Sequence, residues 1–263
     1  MYFDVRTWFR MLRLSRREEP RARRAIRFAL LVVVPLVATF NAVCLALDDV
    51  LFPGWRKVRV RTPVFIVGHA RSGTTLLHRL MCMDGDRFSY FRLYEMFFPS
   101  VLQKKALRGV GRLDRRLGGP LERRLKAWDD RQFEATKDQH AMGLFKPEED
   151  DFVYTLSCAS GFWIVMVPYM DQLDFYFVDE WPDRRRRRHM RFYEQCVRRQ
   201  LYINGPDKVH LSKNPTFSGR VESLIETFPD ASWSTCATPT RRSRACSSCS
   251  SRRGGRGAGT TPA

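Results

Sequence analysis

The stretch that most constrains this fold runs from Pro63 to Met81, PVFIVGHARSGTTLLHRLM. Its first part, Val64 to Val67, is a short apolar run bounded by a proline and a glycine, which predicts a buried strand. A loop with two glycines follows, and then apolar residues recur at helical spacing. A strand, a glycine loop and a helix in this order present backbone N–H groups at a helix N-terminus, where the dipole favours an anion. The stretch therefore predicts a phosphate-binding loop in an α/β fold.

The loop matches only the first half of the nucleotide-binding P-loop pattern. Gly68 and Gly73 have its spacing, but the pattern then requires a lysine for the outer phosphates and a Ser or Thr for Mg²⁺. Thr74 stands at the lysine position, and the cation lies inside the loop at Arg71. This arrangement predicts a phosphate site with its own positive charge and without metal-dependent triphosphate chemistry. A nucleotide kinase or NTPase that uses the same loop is the alternative.

The loop resembles the 5′-phosphosulfate loop of the sulfotransferases that use 3′-phosphoadenosine 5′-phosphosulfate (PAPS), a strand followed by P-[RK]-S-G-T-T. Arg71 to Thr75 match this pattern, and Ala70 replaces the usual proline. The resemblance covers about Pro63 to Ala231, within a predicted domain over residues 58–231. It implies a P-loop-NTPase-like parallel sheet flanked by helices in three layers, with PAPS as co-substrate and no metal.

The same resemblance implies which residues bind the donor. Arg71 stabilises the charge that develops during transfer, and the loop holds the 5′-phosphate through its hydroxyls and backbone N–H groups. The phosphate-binding residues are Ser72, Gly73, Thr74 and Thr75. A second matching segment, LSKNP, ends a predicted strand (Val209 to Ser212) at Lys213. Ligands of open α/β sheets bind at the carboxyl ends of the strands, so Lys213 is either a donor-site residue or a surface lysine.

Two residues are candidates for the base that takes the acceptor proton. Glu95 lies after the loop helix, in a segment that in related sulfotransferases returns to the active site and often offers a carboxylate. The alternative for Glu95 is a solvated or ion-paired residue at a helix start. His140 needs little tuning to accept a proton near neutral pH, and is otherwise a structural histidine. The nearby acidic run EEDD, ending at Asp151, is interpreted as a solvated helix start.

Charge and cysteine content limit the partners. The net charge of +18 is concentrated at the ends of the chain: residues 1–27 hold nine arginines against three acids, and residues 232–263 hold six arginines and no acid. No aromatic residue interleaves with the basic tail, so a nucleic-acid platform is not expected. Apart from Cys246 and Cys249 in the tail, the seven cysteines show no pair at metal-ligand spacing, so reduced thiols without structural zinc are expected.

Phe28 to Leu47 is apolar over twenty residues apart from Thr39 and Asn41, and carries no charge. At a rise of ~1.5 Å per residue, such a helix spans a hydrocarbon core of ~30 Å. If it spans, the basic segment 1–27 places the N-terminus in the cytosol and the domain on the side opposite to cytosolic PAPS. The alternative is a helix that lies in the interface with its arginines on anionic lipid. Either mode predicts membrane association and favours a lipid-linked acceptor, with a glycan or a small molecule as other classes.

The rest of the domain is expected to alternate helices with core segments. Val101 to Ala135 is predicted to be helical with a break at Gly118-Gly119-Pro120, shaping an acceptor site. Phe152 to Met170 is predicted to line the core or a pocket. A helix that begins in the arginines after Asp183 places Met190, Tyr193, Val197 and Leu201 on one face, and a further helix carries Val221, Leu224, Ile225 and Phe228.

The chain changes character after Ala231. From Ser234 on, no large aliphatic or aromatic residue occurs through Ala263, so residues 232–263 are interpreted as a disordered, low-complexity tail that adds no strand. The family pattern expects here a buried strand, then R-x-P, and a Ser eight residues after that Arg, which together hold the 3′-phosphate of PAPS. Reading new codons from the third base of each old one gives hydrophobic residues from Trp233 on, and the genetic code then permits Arg, Pro and Ser at these spacings. The tail is therefore predicted to be a frameshift product, with impaired activity or a catalytically dead membrane-bound pseudoenzyme as the consequence.

Overall fold

The computed structural model describes residues 1–68, 72–134 and 142–236. Four strands in this part of the chain form one parallel sheet: β1 (Val64–Gly68), β2 (Phe88–Ser89), β3 (Val209–Lys213) and β4 (Ser232–Cys236). Their order in the sheet is β2-β3-β1-β4. Helices flank the sheet, so the predicted α/β architecture is confirmed, as are the two strands predicted from apolar runs.

β1 lies between β3 and β4 in the sheet. Its residues Phe65 and Ile66 are fully buried, as expected for a parallel strand that is covered on both faces. The register places Ile66 opposite Lys213 of β3 and Gly68 opposite Cys236 of β4. Because these strands are parallel, their carboxyl ends meet at one edge of the sheet, where the glycine loop leaves β1.

Helices occur where the sequence predicted them after the glycine loop, within 101–135, over 183–204, over 221–227 and in the N-terminal apolar segment, whereas the helix over Val5–Leu14 was not predicted. The break between two of them lies at the predicted glycines. Gly118 and Gly119 have positive φ values of 88° and 71°, a conformation that ends a helix and that glycine adopts easily. The bounds are α1 (Val5–Leu14), α2 (Pro20–Phe28), α3 (Val34–Leu51), α4 (Thr74–Cys82), α5 (Leu93–Phe97), α6 (Val101–Arg116), α7 (Pro120–Gln132), α8 (Asp183–Asn204) and α9 (Val221–Thr227).

The main core lies between the sheet and α8. The predicted apolar face of α8 is confirmed, because Met190, Tyr193, Val197 and Leu201 are all buried. These side chains pack in one cluster with aromatic residues of β1 and of the segments around it. The segment predicted to line the core overlaps a 3-10 helix, Asp150–Ser157, in which every residue is buried.

The N-terminal apolar helix is longer than predicted. α2, a π-helical turn (Ala29–Val33) and α3 follow one another directly, so that one helix runs from Pro20 to Leu51. Pro35 has no N–H to donate to the helical ladder, and the widened turn lies just before it. By length and composition this helix is able to cross a membrane. We call Pro20–Leu51 the N-terminal rod.

The prediction that no strand forms after Ala231 is wrong for β4. The five residues of β4, SWSTC, pair in parallel with all five residues of β1. Trp233 packs its ring against Phe65, with 5.3 Å between the ring centroids. The strand forms because β1 offers a row of backbone N–H and C=O groups, and ladder hydrogen bonds require no particular side chain. Residues 237–263, the rest of the predicted tail, lie outside the described residues.

Candidate active site

The helix behind the glycine loop, α4, begins with an open N-terminus. Its N-cap Gly73 has a φ of 86°, in the left-handed region, which other residues adopt only with strain. A Cβ on Gly73 would meet no described atom within 4 Å, so conformation and not crowding requires the glycine. In the described part of the chain no side chain caps this helix. The backbone N–H groups of the first helical turn, which starts with Thr74 and Thr75, are therefore suited to bind an anion. Arg71, the predicted loop cation, falls outside the described residues.

Lys213 lies at the same edge of the sheet as the loop. It ends β3 opposite Ile66, and the backbone N–H of the next residue, Asn214, donates to the carbonyl of Ile66 at 3.1 Å. The sheet thus brings the described loop residues Ser72 to Thr75 and Lys213 to one edge, although they are far apart in the sequence. The Lys213 side chain is only 3% exposed, so it is not a surface lysine. Its role in binding the donor stays a prediction.

Glu149 is a further acid at this edge of the sheet, which the sequence interpretation treated only as part of a solvated acidic run. Its Oε1 atom lies 2.5 Å from Nζ of Lys213, and its side chain is 24% exposed. Glu149 is also the N-cap of the following 3-10 helix, but within the described residues its side chain does not cap it. The carboxylate is therefore available to the edge of the sheet at which the phosphate loop opens.

Three acids of the run EEDD, Glu148, Asp150 and Asp151, are buried, so the run is not the solvated helix start that the sequence predicted. Asp150 accepts a hydrogen bond from the Tyr193 hydroxyl at 2.5 Å and lies 3.0 Å from Nε2 of His210. Asp151 forms a buried ion pair with Arg220 at 3.0 Å. Carboxylates are tolerated in a protein interior when they are paired and hydrogen-bonded in this way. Three of their partners come from α8, β3 and the segment before α9, so no local pattern marks these acids as buried.

Glu95 is held in place by three groups of the protein. Its Oε2 accepts from the backbone N–H of Arg92 at 3.1 Å and from Nε2 of Gln200 at 2.8 Å, and its Oε1 lies 3.4 Å from Arg108. The contact with Arg92 is part of a capping box that begins α5. Glu95 is 3% exposed, which agrees with an ion-paired glutamate at a helix start. The other candidate base, His140, lies outside the described residues.

His78 lies on α4, one turn beyond Thr74, and is buried. Burial lowers the pKa of His78 to about 4; the carboxylate of Asp150 opposes this shift and the charge of Lys213 adds to it. Among the described residues, its Nε2 has no hydrogen-bond partner. The imidazole is therefore neutral at physiological pH and adds no charge to the site.

Replacing His78 with leucine is expected to flatten the acid dependence of stability. Between the unfolded pKa of 6.5 and the folded pKa of about 4, the unfolded chain binds more protons, so the free energy of unfolding falls as the pH drops. From pH 7 to pH 4.5 this costs roughly 2 to 3 kcal/mol, which the His78→Leu variant should not lose. Urea unfolding of both proteins at the two pH values measures this difference. An equal fall in the free energy of unfolding of both proteins would contradict the lowered pKa of His78.

Comparisons with known proteins indicate one family. A model of the sulfotransferase family matches residues 63–233, more than half of the chain. The omega-hydroxy-beta-dihydromenaquinone-9 sulfotransferases Stf3 of Mycobacterium bovis and Mycobacterium tuberculosis are each 29% identical over 186 residues. The match covers 64% of this chain and 40% of each relative. The chain thus spans less than half the length of these curated relatives.

Two solved structures have the same fold. Sulfotransferase STF1 from Mycobacterium tuberculosis H37Rv matches with a TM-score of 0.57 at 20% identity, over 89% of this chain and 60% of that chain. Sulfotransferase STF9 from Mycobacterium avium matches with a TM-score of 0.56 at 18% identity, over 89% and 58%. At these identities the likeness shows the fold alone. The family model, however, covers the phosphate loop, Lys213 and the start of β4, and the chain therefore belongs to the sulfotransferase family.

Proposed function

We propose that this chain carries the donor-binding part of a sulfotransferase, which moves a sulfuryl group from PAPS to a hydroxyl or amine of an acceptor. The observation that carries the proposal is the meeting of the phosphate loop and Lys213 at one edge of the sheet, in a member of the sulfotransferase family. The groups at this edge suit the 5′ end of PAPS. They comprise an open helix N-terminus for the phosphate, a buried lysine, and Nδ2 of Asn214, which is buried without a partner among the described residues.

Sulfuryl transfer requires positive charge near the leaving phosphate. The bond from sulfur to the bridging oxygen breaks as the bond to the acceptor atom forms, so negative charge grows on the bridging oxygen and on the departing 3′,5′-ADP. We assign the stabilisation of this charge to Arg71, with Lys213 as a second cation. Backbone N–H groups from Ser72 to Thr75, with the hydroxyls of Thr74 and Thr75, hold the 5′-phosphate. The proposal assigns no step to a metal.

The proton that the acceptor loses passes to a base of the protein. Glu95 and His140 are the bases proposed from the sequence. The contacts of Glu95 with Arg92 and Gln200 also support a role in positioning α5. Glu149, which contacts Lys213, joins them as a third candidate because its carboxylate lies at the edge of the sheet where PAPS would bind.

We propose a lipid alcohol, presented at a membrane, as the class of acceptor. The curated relatives are named as sulfotransferases of an omega-hydroxy-beta-dihydromenaquinone, and the N-terminal rod is apolar enough to associate with a membrane. Membrane association through the rod, with the N-terminus in the cytosol, is part of the proposal. A glycan or a small soluble acceptor has no comparable support.

We further propose that the chain after Ala231 is read in a shifted frame, so that the residues for the 3′-phosphate of PAPS are missing. β4 forms at the position where the family pattern expects a buried strand. Within β4, however, only Trp233 has a large apolar side chain. This mismatch between position and residue types supports a shifted frame. The chain as written would then bind PAPS weakly, and a pseudoenzyme is the extreme case of this loss.

Isothermal titration with 3′,5′-ADP, 5′-AMP and ATP with Mg²⁺ tests the proposal. It is carried out on the chain as written and on a chain whose frame is shifted after Ala231. The shifted chain should bind 3′,5′-ADP roughly tenfold to a hundredfold more tightly than 5′-AMP, because charge-assisted hydrogen bonds contribute about 1.5 to 3 kcal/mol each. The chain as written should bind the two nucleotides about equally.

The alternatives give other results in the same titration. Tighter binding of ATP with Mg²⁺ than of 3′,5′-ADP by the shifted chain would favour a nucleotide kinase or NTPase. Binding of no nucleotide by either chain would favour a pseudoenzyme. If the chain as written already prefers 3′,5′-ADP over 5′-AMP, it has a 3′-phosphate site and the frameshift proposal is wrong.

A further inference from the structure

The N-terminal rod has one face that packs along the domain over almost its whole length. Buried residues recur on this face at intervals of three or four, which is the spacing of one side of a helix. Towards the N-terminus they join an apolar cluster with Met11, Trp163 and Phe175, and towards the C-terminus Leu45 joins the main core. The buried residues of the rod are Ile26, Leu30, Val34, Ala38, Asn41, Cys44, Leu45 and Asp48.

Polar groups on this face attach the rod to α6 and α8. Asn41 donates to the carbonyl of Phe97 at 2.8 Å and accepts from Gln103 at 2.6 Å. Asp48 accepts from the Ser100 hydroxyl at 2.7 Å and from two backbone N–H groups that begin α6, each at 2.9 Å. It also forms a buried ion pair with Arg199 of α8 at 2.9 Å.

These contacts disfavour a rod that spans a membrane. To enter a bilayer upright, the rod would have to leave the domain. Asp48 would lose the partners that satisfy it, and Arg199 would stay in the protein without its carboxylate. A separated buried charge pair is strongly unfavourable, and an unpaired Asp in a membrane helix is costly as well. The rod therefore stays attached to the domain when it meets a membrane.

The opposite face of the rod is apolar and open. No described residue covers it, and its side chains are between 41% and 77% exposed. The spacing of three or four residues again defines one side of a helix, here turned away from the domain. The residues of this open face are Phe28, Leu31, Val32, Leu36, Phe40, Val43, Leu47 and Val50.

Exposed basic residues lie at both ends of the open face. Arg21 and Arg24 precede Phe28 on the same helix, and Arg56, Lys57 and Arg59 follow soon after its C-terminus. An apolar helix face with cations at its ends matches a leaflet surface, in which anionic headgroups surround the acyl chains. This charge pattern identifies a lipid surface, and not a protein groove, as the occupant.

We propose that the N-terminal rod is an in-plane membrane anchor, which buries the open face in one leaflet while the domain and both ends of the rod stay on the same side. This inference does not rest on the proposed enzymatic function. Its consequence is that no part of the chain described here crosses the bilayer, so the phosphate loop can lie on the cytosolic side, together with the N-terminus.

Vesicle binding of the full chain tests the open face. Vesicles of phosphatidylcholine are compared with vesicles in which about one third of the lipid is phosphatidylglycerol. The double variant Leu36→Glu, Phe40→Glu should bind the anionic vesicles about tenfold or more weakly, because two apolar side chains no longer leave water. The matched control Met83→Glu, Ile225→Glu changes two similarly exposed apolar residues of the domain and should bind like the parent chain.

A thermal melt of each double variant checks that it has folded. An equal loss in both double variants would overturn the assignment of the anchor to the rod, as would unchanged binding of the rod variant. Equal binding of the parent chain to neutral and anionic vesicles would overturn the role of the basic flanks.

The topology is tested in membranes of cells that express the full chain with one tag at each end. In inverted vesicles, added protease should remove both tags, and in right-side-out vesicles it should remove neither. Removal of one tag in each preparation would place the ends on opposite sides and overturn the in-plane arrangement. This measurement needs no donor or acceptor, so it is independent of the sulfotransferase proposal.

Discussion

Arg71→Ala, made in the chain whose frame is shifted after Ala231, is expected to lower the rate of sulfuryl transfer by roughly a hundredfold to a thousandfold. Arg71 is the cation inside the phosphate loop, and removal of one group that stabilises transition-state charge commonly costs about 2.7 to 4 kcal/mol. The rate is measured as release of 3′,5′-ADP from PAPS in the presence of a membrane-bound alcohol acceptor. Thermal stability should change little, because substitution of a charged residue in a loop removes little apolar packing.

Arg191→Ala is the matched control for Arg71→Ala. It removes the same charge from an exposed position on α8, away from the phosphate loop and from the basic flanks of the N-terminal rod, and should leave the transfer rate within about twofold of the parent, since exposed charges away from a site contribute little. Equal turnover by the Arg71 variant and the parent would remove Arg71 from the proposed mechanism. A similar loss in both variants would indicate an effect of overall charge and not of the loop.

Asp48→Ala is expected to destabilise the fold by about 3 to 5 kcal/mol. Asp48 is fully buried and accepts hydrogen bonds from Ser100, from two N–H groups of α6 and from Arg199. Its removal leaves the guanidinium of Arg199 buried, and the carboxylate that then remains near it in the described part of the chain is Asp49, at 3.7 Å. Breaking a buried ion pair by removing one partner has a cost of this size. Urea unfolding of the two proteins measures it.

The neighbouring Asp49→Ala provides the control for Asp48→Ala. Asp49 is 34% exposed and pairs with the exposed Arg56 at 3.0 Å, so its loss should cost no more than about 1 kcal/mol. Asp48→Asn keeps the shape of the side chain and removes its charge, and should lie between the two. If both alanine variants unfold at the same urea concentration, the rod is not fastened to the domain through Asp48.

Local patterns in the sequence were sufficient for the elements that position the site. Short apolar runs predict β1 and β3, and apolar residues at helical spacing predict α8. Each pattern indicates which side chains are buried on the same face of an element. The glycine loop was recognisable for the same local reason, since a strand, a tight loop and a helix follow one another without a gap. The meeting of Lys213 with the loop also followed, once both strands were placed in one parallel sheet.

Other features depended on partners that are distant in the sequence. The acids of EEDD look solvated in isolation, but Asp150 meets Tyr193 and His210, and Asp151 meets Arg220. The sequence alone does not reveal these pairings, because a charged group is buried only when the fold places hydrogen-bond donors beside it. For the same reason, the contacts that hold Glu95 and the proximity of Glu149 to Lys213 were visible only in the folded chain.

The α/β class, the phosphate loop and the family resemblance follow from the sequence alone, because contiguous residues encode them. The pairing of β4 with the sheet, and the packed and open faces of the N-terminal rod, are visible only in the folded chain. A largely polar strand can pair with β1 because the edge of β1 offers backbone N–H and C=O groups, and these form hydrogen bonds whatever the side chains of the added strand are. The two faces of an apolar helix have similar residues in the sequence, and they differ in burial only after one face packs against a domain.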